Sequence, residues 1–143
     1  MSHSTGKLLE CTHTLKGHLG AVSAVAVASE RIYSASQDST VKIWDVEQRE
    51  VTTITAFSGF VRAVVVAGNL LFTACEAAIK VWDLNGTQLI KTLTKHTKDV
   101  VVLVTNPPET LLFSSSSDNT VCVWDLKTLA HLHTYLAPFT ILS

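Results

Sequence analysis

Thr40-Val41-Lys42-Ile43-Trp44-Asp45 is answered twice further along the chain, by Ala78-Ile79-Lys80-Val81-Trp82-Asp83 and by Thr120-Val121-Cys122-Val123-Trp124-Asp125. The copies lie about 40 residues apart, a period at which one supersecondary unit is repeated. A second shared phrase precedes each, at residues 32–36, 71–75 and 112–116, and a third precedes that, at 21–27, 60–66 and 99–104. These segments are short, rich in Val, Ile and Thr, and parted by small or polar turns, which reads as strand. The turns fall at 28–31, 67–70 and 105–110, where Pro107 and Pro108 would break a ladder and so mark an exposed loop. No window of about 11 residues or more keeps a helical period, so the fold class is all-β.

The chain has 143 residues, of which 47% are apolar and 16% charged, with 11 Lys and Arg against 12 Asp and Glu for a formal charge of −1. That balance argues against a nucleic-acid or membrane-surface protein, which carries a basic excess. No apolar run approaches the ~18 residues of a membrane span. Met1-Ser2-His3-Ser4-Thr5-Gly6 lacks the charged and apolar regions of a signal peptide. Cys11, Cys75 and Cys122 are too scattered for a disulfide framework, which suits a reducing compartment. The expected location is cytoplasmic, with the nucleus as the alternative.

Gly17-His18, Ser36-Gln37-Asp38 and Trp44-Asp45 resemble a WD repeat, and residues 7–136 are similar to the WD-repeat (WD40) family, whose four-stranded blades build a β-propeller. The resemblance implies three four-stranded antiparallel blades, in an open arc or as part of a larger ring. Blade 1 spans about 15–55, blade 2 about 56–94 and blade 3 about 95–136. An outer strand over 7–14 comes first, after a disordered stretch at 1–6. Residues 137–143 read as the truncated start of a further repeat, or a tail. In the family the outer strand of a blade is encoded just before the next copy, which places such strands at 7–14, 50–55, 87–94 and 128–136.

In WD repeats a His, a Ser or Thr, an Asp and the Trp form a hydrogen-bonded network. The resemblance puts it on His18, Ser34, Asp38 and Trp44 in the first copy and on His96, Ser114, Asp118 and Trp124 in the third. Trp only donates, a carboxylate accepts, and His and a hydroxyl do both, so the set can close on itself. The second copy departs from the pattern. Phe57 stands where the His should be, the turn Cys75-Glu76-Ala77-Ala78 is a residue short, and only Thr73 and Trp82 remain. A blade held by apolar packing, and the weakest of the three, is expected there.

A His, a Ser and an Asp also suggest a nucleophile triad. The same set recurring at a repeat period, and failing in the middle copy, favours a structural role, so no catalytic residue is assigned. His131 and His133 would share a strand face as two metal ligands do, but no further ligands with suitable spacing accompany them. No metal or other cofactor is expected. Cys75 and Cys122 fall on strands as small core residues. Lys91, Lys95, His96 and Lys98 make a small basic cluster that reads as ordinary loop charge.

In this family partners dock on the face at the start of the inner strands and at the residue before the network Asp. Carried over, those positions are Ala21, Ser23 and Gln37, then Phe60, Arg62 and Glu76, then Asp99, Val101 and Ser117. The second set offers an aromatic beside an Arg, residue types enriched at binding hot spots. The expected function is a non-enzymatic scaffold binding proteins or peptides. An RNA-processing or ribosome-assembly subunit is one alternative, although the charge weighs against it. The substrate-recognition part of a ubiquitin ligase is another. The short first turn and few glycines resemble WD repeats appended to TRAF-type ligases or kinases, but the strict Trp-Asp-x-Arg motif is absent.

Closed propellers have about 4–8 blades, and three leave apolar faces at both ends of an arc. Two completions are expected: missing repeats of a longer propeller, or self-association, with six blades from two chains the simplest ring. The first is favoured because a dimeric ring leaves each spare outer strand without a partner.

Overall fold

The computed structural model of the chain describes residues 9–45, 47 and 49–137. The expectations for 1–6 and 138–143 lie outside them. Three antiparallel meanders follow one another. The first is β1 (Val22–Ala28), β2 (Arg31–Ser36), β3 (Val41–Trp44) and β4 (Glu50–Ile54). The second is β5 (Val61–Ala67), β6 (Leu70–Cys75), β7 (Ala78–Asp83) and β8 (Gln88–Leu93). The third is β9 (Val100–Thr105), β10 (Leu111–Ser116), β11 (Thr120–Asp125) and β12 (His131–Leu136). Each sheet pairs its strands in sequence order, and the described residues contain no helix. The fold is all-β, three four-stranded blades of a propeller.

Residues 9–14 form no strand. The expected first outer strand has no β-triplet of its own to pair with, and an isolated strand has no ladder for its backbone groups.

Consecutive apolar residues, such as Ala63 to Ala67 of β5 and Leu70 to Phe72 of β6, leave both faces of a blade apolar, so the blades stack through them. The innermost strands β1, β5 and β9 lie side by side. One core cluster joins blade 1 to blade 2, with Tyr33, Val41, Ile54, Val61, Leu71 and Trp82 among its members. A second joins blade 2 to blade 3, through Phe72, Ile79, Leu93, Val100, Leu112 and Trp124. Blade 2 is therefore covered on both faces, and Leu71, Phe72 and Ile79 are fully buried. Each such side chain contributes about 1.5–3 kcal/mol. This burial argues against the middle blade being the weakest of the three. The hydrogen bonds it lacks are local, whereas its packing comes from two neighbours.

Two kinds of bulge recur. Near its start, each inner strand carries one residue that the pairing skips: Ser23, Arg62 and Val101. Each outer strand skips one opposite the blade's Trp, and in β12 that residue is Leu132. A bulge changes which face the following side chains meet. His131 consequently pairs with Trp124 and His133 with Val123, neighbours on opposite faces of β11. The two rings do not share a face as expected: His131 stacks edge-on against Trp124 at 5.3 Å, and His133 against Tyr135 at 4.3 Å. Burial, then the Lys95 charge, lowers the His131 pKa.

Candidate docking face and blade networks

The Trp-Asp phrases are built by two separable sets of bonds. In blade 1, Trp44 Nε1 donates to Ser34 Oγ at 2.9 Å. Ser34 Oγ in turn lies 2.6 Å from His18 Nε2, and His18 Nδ1 lies 2.9 Å from Asp38 Oδ2. Because the carboxylate can only accept, Nδ1–H donates to Asp38, which leaves Nε2 to accept from the Ser34 hydroxyl, whose oxygen takes the indole N–H. Blade 3 repeats the chain through Trp124, Ser114, His96 and Asp118 at 2.9, 2.8 and 2.9 Å. The second set belongs to the Asp of the dipeptide. Asp45 Oδ1 accepts from the Glu47 and Arg49 amides, Asp83 from Asn85, and Asp125 from Lys127 and Thr128, so each caps the turn into an outer strand.

Each network carboxylate takes more donors than its His. Asp38 accepts from the Thr40 hydroxyl at 2.6 Å and the Leu19 amide at 2.9 Å. Asp118 accepts from the Thr120 hydroxyl at 2.5 Å and the Thr97 amide at 3.0 Å. Burial alone pushes the Asp118 carboxyl up, but the bonds from Thr120, Thr97 and His96 outweigh it and bring its pKa down to about 2. Asp38 is opposed by burial too and is held well below the usual carboxylate range by Thr40, Leu19 and His18. Both stay ionised acceptors, so each network is fully used within its blade. A triad needs its serine free to attack, and Ser34 and Ser114 are buried with their oxygens engaged by Trp and His.

Blade 2 keeps one link, Trp82 Nε1 to Thr73 Oγ1 at 3.0 Å. Phe57 takes the place of the His ring and meets Trp82 edge-on, centroids 5.6 Å apart, with the Lys80 amine 5.4 Å from the centre of the Phe57 ring. Lys80 also donates to the Ala56 carbonyl at 2.6 Å. The shortened turn is a two-residue hairpin closed by the Cys75–Ala78 pair, with Glu76 at φ 54°. In blades 1 and 3 the longer turn reaches positive φ one residue after the Asp, at Ser39 and Asn119. Gly20 is required beside the first of these, since a Cβ there would stand 2.9 Å from the Asp38 amide.

The nine positions assigned to a docking face lie at one end of the sheets, on the inner-strand starts and the β2–β3, β6–β7 and β10–β11 turns. Ala21, Gln37, Phe60, Arg62, Glu76 and Ser117 are exposed; Asp99 and Val101 are half-buried. Ser23 is exposed, but its hydroxyl is engaged by the Ala35 and Val61 carbonyls, a link from blade 1 to blade 2. The Glu76 carbonyl accepts from the Val100 amide at 2.7 Å, a link from blade 2 to blade 3, and its carboxylate meets the Ser58 hydroxyl. Arg62 Nη2 lies 3.1 Å from Asp99 Oδ2, and the guanidinium is 5.8 Å from the centre of the Phe60 ring. Reading the sequence copy by copy separates Arg62 from Asp99; the bulge at Arg62 and the contact of β5 with β9 bring them together. The opposite end of the sheets holds a cleft of about 520 Å³ between the loops of blades 2 and 3, lined by Gly68, Asn69, Pro108, Thr110 and Lys127 among others. No motif in the sequence marks it.

Three meandering blades, each closing on a Trp whose indole bonds a buried hydroxyl, define a propeller segment of the WD-repeat class. The description "WD domain, G-beta repeat" matches residues 9–45 and 87–125, just over half of the chain, and the chain belongs to that family. The degenerate middle copy lies between the two matched segments. Among curated proteins, the chain is 33% identical over 104 residues to myosin heavy chain kinase C of Dictyostelium discoideum, covering 69% of this chain and 13% of that protein. It is 31% identical over 138 residues to the nuclear distribution protein PAC1 of Arthroderma otae, covering 85% and 30%. The chain thus spans less than a third of these relatives. Its fold is also that of the RRP9 WD40 repeats (TM-score 0.83, 24% identity, 88% of this chain and 42% of that one). The computationally designed Ika4 protein shares it as well (TM-score 0.79, 23% identity, 89% and 79%).

Proposed function

We propose that this chain is a non-enzymatic docking module that receives a protein or peptide on the bulged end of its blades, centred on Phe60 and Arg62. The observation that carries this reading is the Phe60–Arg62–Asp99 cluster. Phe60 is 46% exposed although Val61 beside it is core, and both side chains of the Arg62–Asp99 pair are open to solvent. An exposed ion pair adds only about 0–1 kcal/mol to stability, so the fold gives little up when these groups turn to a partner. Aromatic and Arg side chains are the commonest anchors of interfaces. A partner segment placing an apolar side chain on Phe60 and a charged group between Arg62 and Asp99 fits the chemistry. The polar networks of blades 1 and 3 are closed within the blades and take no part in it.

The test is quantitative cross-linked capture with the intact chain, the double variant Phe60→Ala/Arg62→Ala, and a control pair at the far end, Asn69→Ala/Lys127→Ala. The expected result is loss of partners by at least about tenfold in the first variant, the effect of one hot-spot residue, with the control unchanged. Equal capture by all three proteins, with circular dichroism unaltered, contradicts the reading.

A further inference from the structure

The chain holds four asparagines, and the structure ties down three of them. Asn106 precedes Pro107, which has no amide N–H, and its Oδ1 accepts from the Thr110 and Leu111 amides at 2.9 Å. Asn119 has a buried side-chain oxygen, and the next amide, that of Thr120, donates to Asp118 Oδ1 at 2.9 Å. Asn69 Nδ2 lies 3.3 Å from Asp83 Oδ1, and the next residue, Leu70, is held in the β6 ladder. Asn85 differs on each count. It is exposed, as is Gly86 after it, in the turn from β7 to β8. Its backbone N–H donates to Asp83 Oδ1 at 2.9 Å. Among the described residues, neither its side-chain amide nor the Gly86 N–H makes a hydrogen bond. Gly86 also brings no Cβ to crowd the approach of its nitrogen to the Asn85 side chain.

We propose that Asn85 is a site of spontaneous modification: in the folded chain its side-chain amide condenses with the Gly86 backbone and ends as isoaspartate or aspartate. Water or hydroxide takes the Gly86 amide proton, and the nitrogen forms a bond to Asn85 Cγ. The Cγ–Nδ2 bond breaks and ammonia leaves, which closes a five-membered succinimide. Water then adds to one of the two ring carbonyls and the C–N bond there breaks. One opening gives aspartate on the native backbone; the other leaves the chain running through Cγ, which is isoaspartate. No electrons are transferred, and water is the sole co-reactant. The change reaches three features of the turn. A carboxylate appears near that of Asp83, and like charges oppose each other. In isoaspartate the backbone gains one carbon just past the amide that Asp83 holds, so the cap on the turn into β8 loosens. The cleft of about 310 Å³ that Asn85 lines with Arg31 and Asn69 gains an anion in its wall. All three lie at the end of the sheets opposite Phe60 and Arg62, so this inference stands apart from the docking reading.

Peptide mapping of the full chain, held folded at mildly alkaline pH, tests it. Trypsin separates residues 81–91, which carry Asn85, from 63–80 with Asn69 and from 99–127 with Asn106 and Asn119. The expected result is the mass gain of an amide turned to an acid in 81–91 alone, split into two isomers and faster as the pH rises. An isoaspartyl carboxyl methyltransferase, given labelled S-adenosylmethionine, then labels that peptide and neither of the others. Gly86→Ala is expected to slow the conversion severalfold with circular dichroism unchanged, since a Cβ there meets only the Gln88 side chain, at 3.6 Å. A folded chain that keeps the amide in 81–91, under conditions that convert it in guanidinium chloride, overturns the proposal, because the turn then shields Asn85. So does equal conversion of the three peptides, or a rate that Gly86→Ala leaves unchanged.

Discussion

Blade 2 and its two neighbours hold a tryptophan in the same place by different means. In blades 1 and 3 the indole ends a chain of bonds through a hydroxyl and a histidine to a carboxylate that takes three further or parallel donors. In blade 2 the chain stops at Thr73, and Phe57 supplies an aromatic edge where the histidine stood. Blade 2 has an apolar neighbour on each face, with Val41 and Ile54 on one side and Val100 and Leu112 on the other. This two-sided packing accompanies the loss of the polar network. The blade without it also presents Phe60 and Arg62, so the residues proposed for docking sit on the blade packed on both faces.

The comparison breaks first at the packing side. Phe72→Ala removes a side chain with no exposure between blades 2 and 3, and a loss of about 3–5 kcal/mol is expected in urea unfolding. A loss below about 1 kcal/mol means that packing does not carry blade 2. Next come the hydroxyls. Ser114→Ala strands both Trp124 Nε1 and His96 Nε2, for about 2 kcal/mol, while Thr73→Ala strands only Trp82 Nε1, for about 1 kcal/mol. Equal costs erase the distinction between the blades.

Acid separates them in another way. Asp118 has a pKa of about 2 in the folded chain against about 3.9 when unfolded. A lowered folded value stabilises above the unfolded pKa and is lost as pH falls through the folded one. The window is therefore about pH 4 to 2, and the loss is on the order of 2 kcal/mol. In Asp118→Asn that part of the acid dependence disappears, which stability curves at stepped pH will show. Asp38 behaves in the same sense, and blade 2 has no counterpart. The smallest effect is Phe57→His, which returns the family residue without its carboxylate. It forfeits the edge contact with Trp82, worth about 0.5–1.5 kcal/mol, and is expected to destabilise slightly; a gain in melting temperature contradicts this account of blade 2.

Three phrases ending in Trp-Asp were enough to read the strands, their order and the network of blades 1 and 3, because each rests on local period and on repeated residue types. The rest depended on what the copies do to one another. Thr40 and Thr120 look like ordinary strand residues until they are seen bonding the Asp two positions earlier. Arg62 and Asp99 belong to different copies, and only the side-by-side inner strands make them a pair. The period of two put His131 and His133 on one face, and the skipped Leu132 put them on two. Loss of the blade 2 network was visible, yet its consequence was not, since burial by both neighbours is a property of the stack.

Residue-resolved amide exchange tests the central claim most directly: the middle blade, though it lacks the network, is the best protected because both of its faces are packed. The account predicts slowest exchange in β6 and β7, intermediate rates in β2, β3, β10 and β11, and fastest rates at the open ends of the arc. Fastest exchange across residues 60–83 contradicts it.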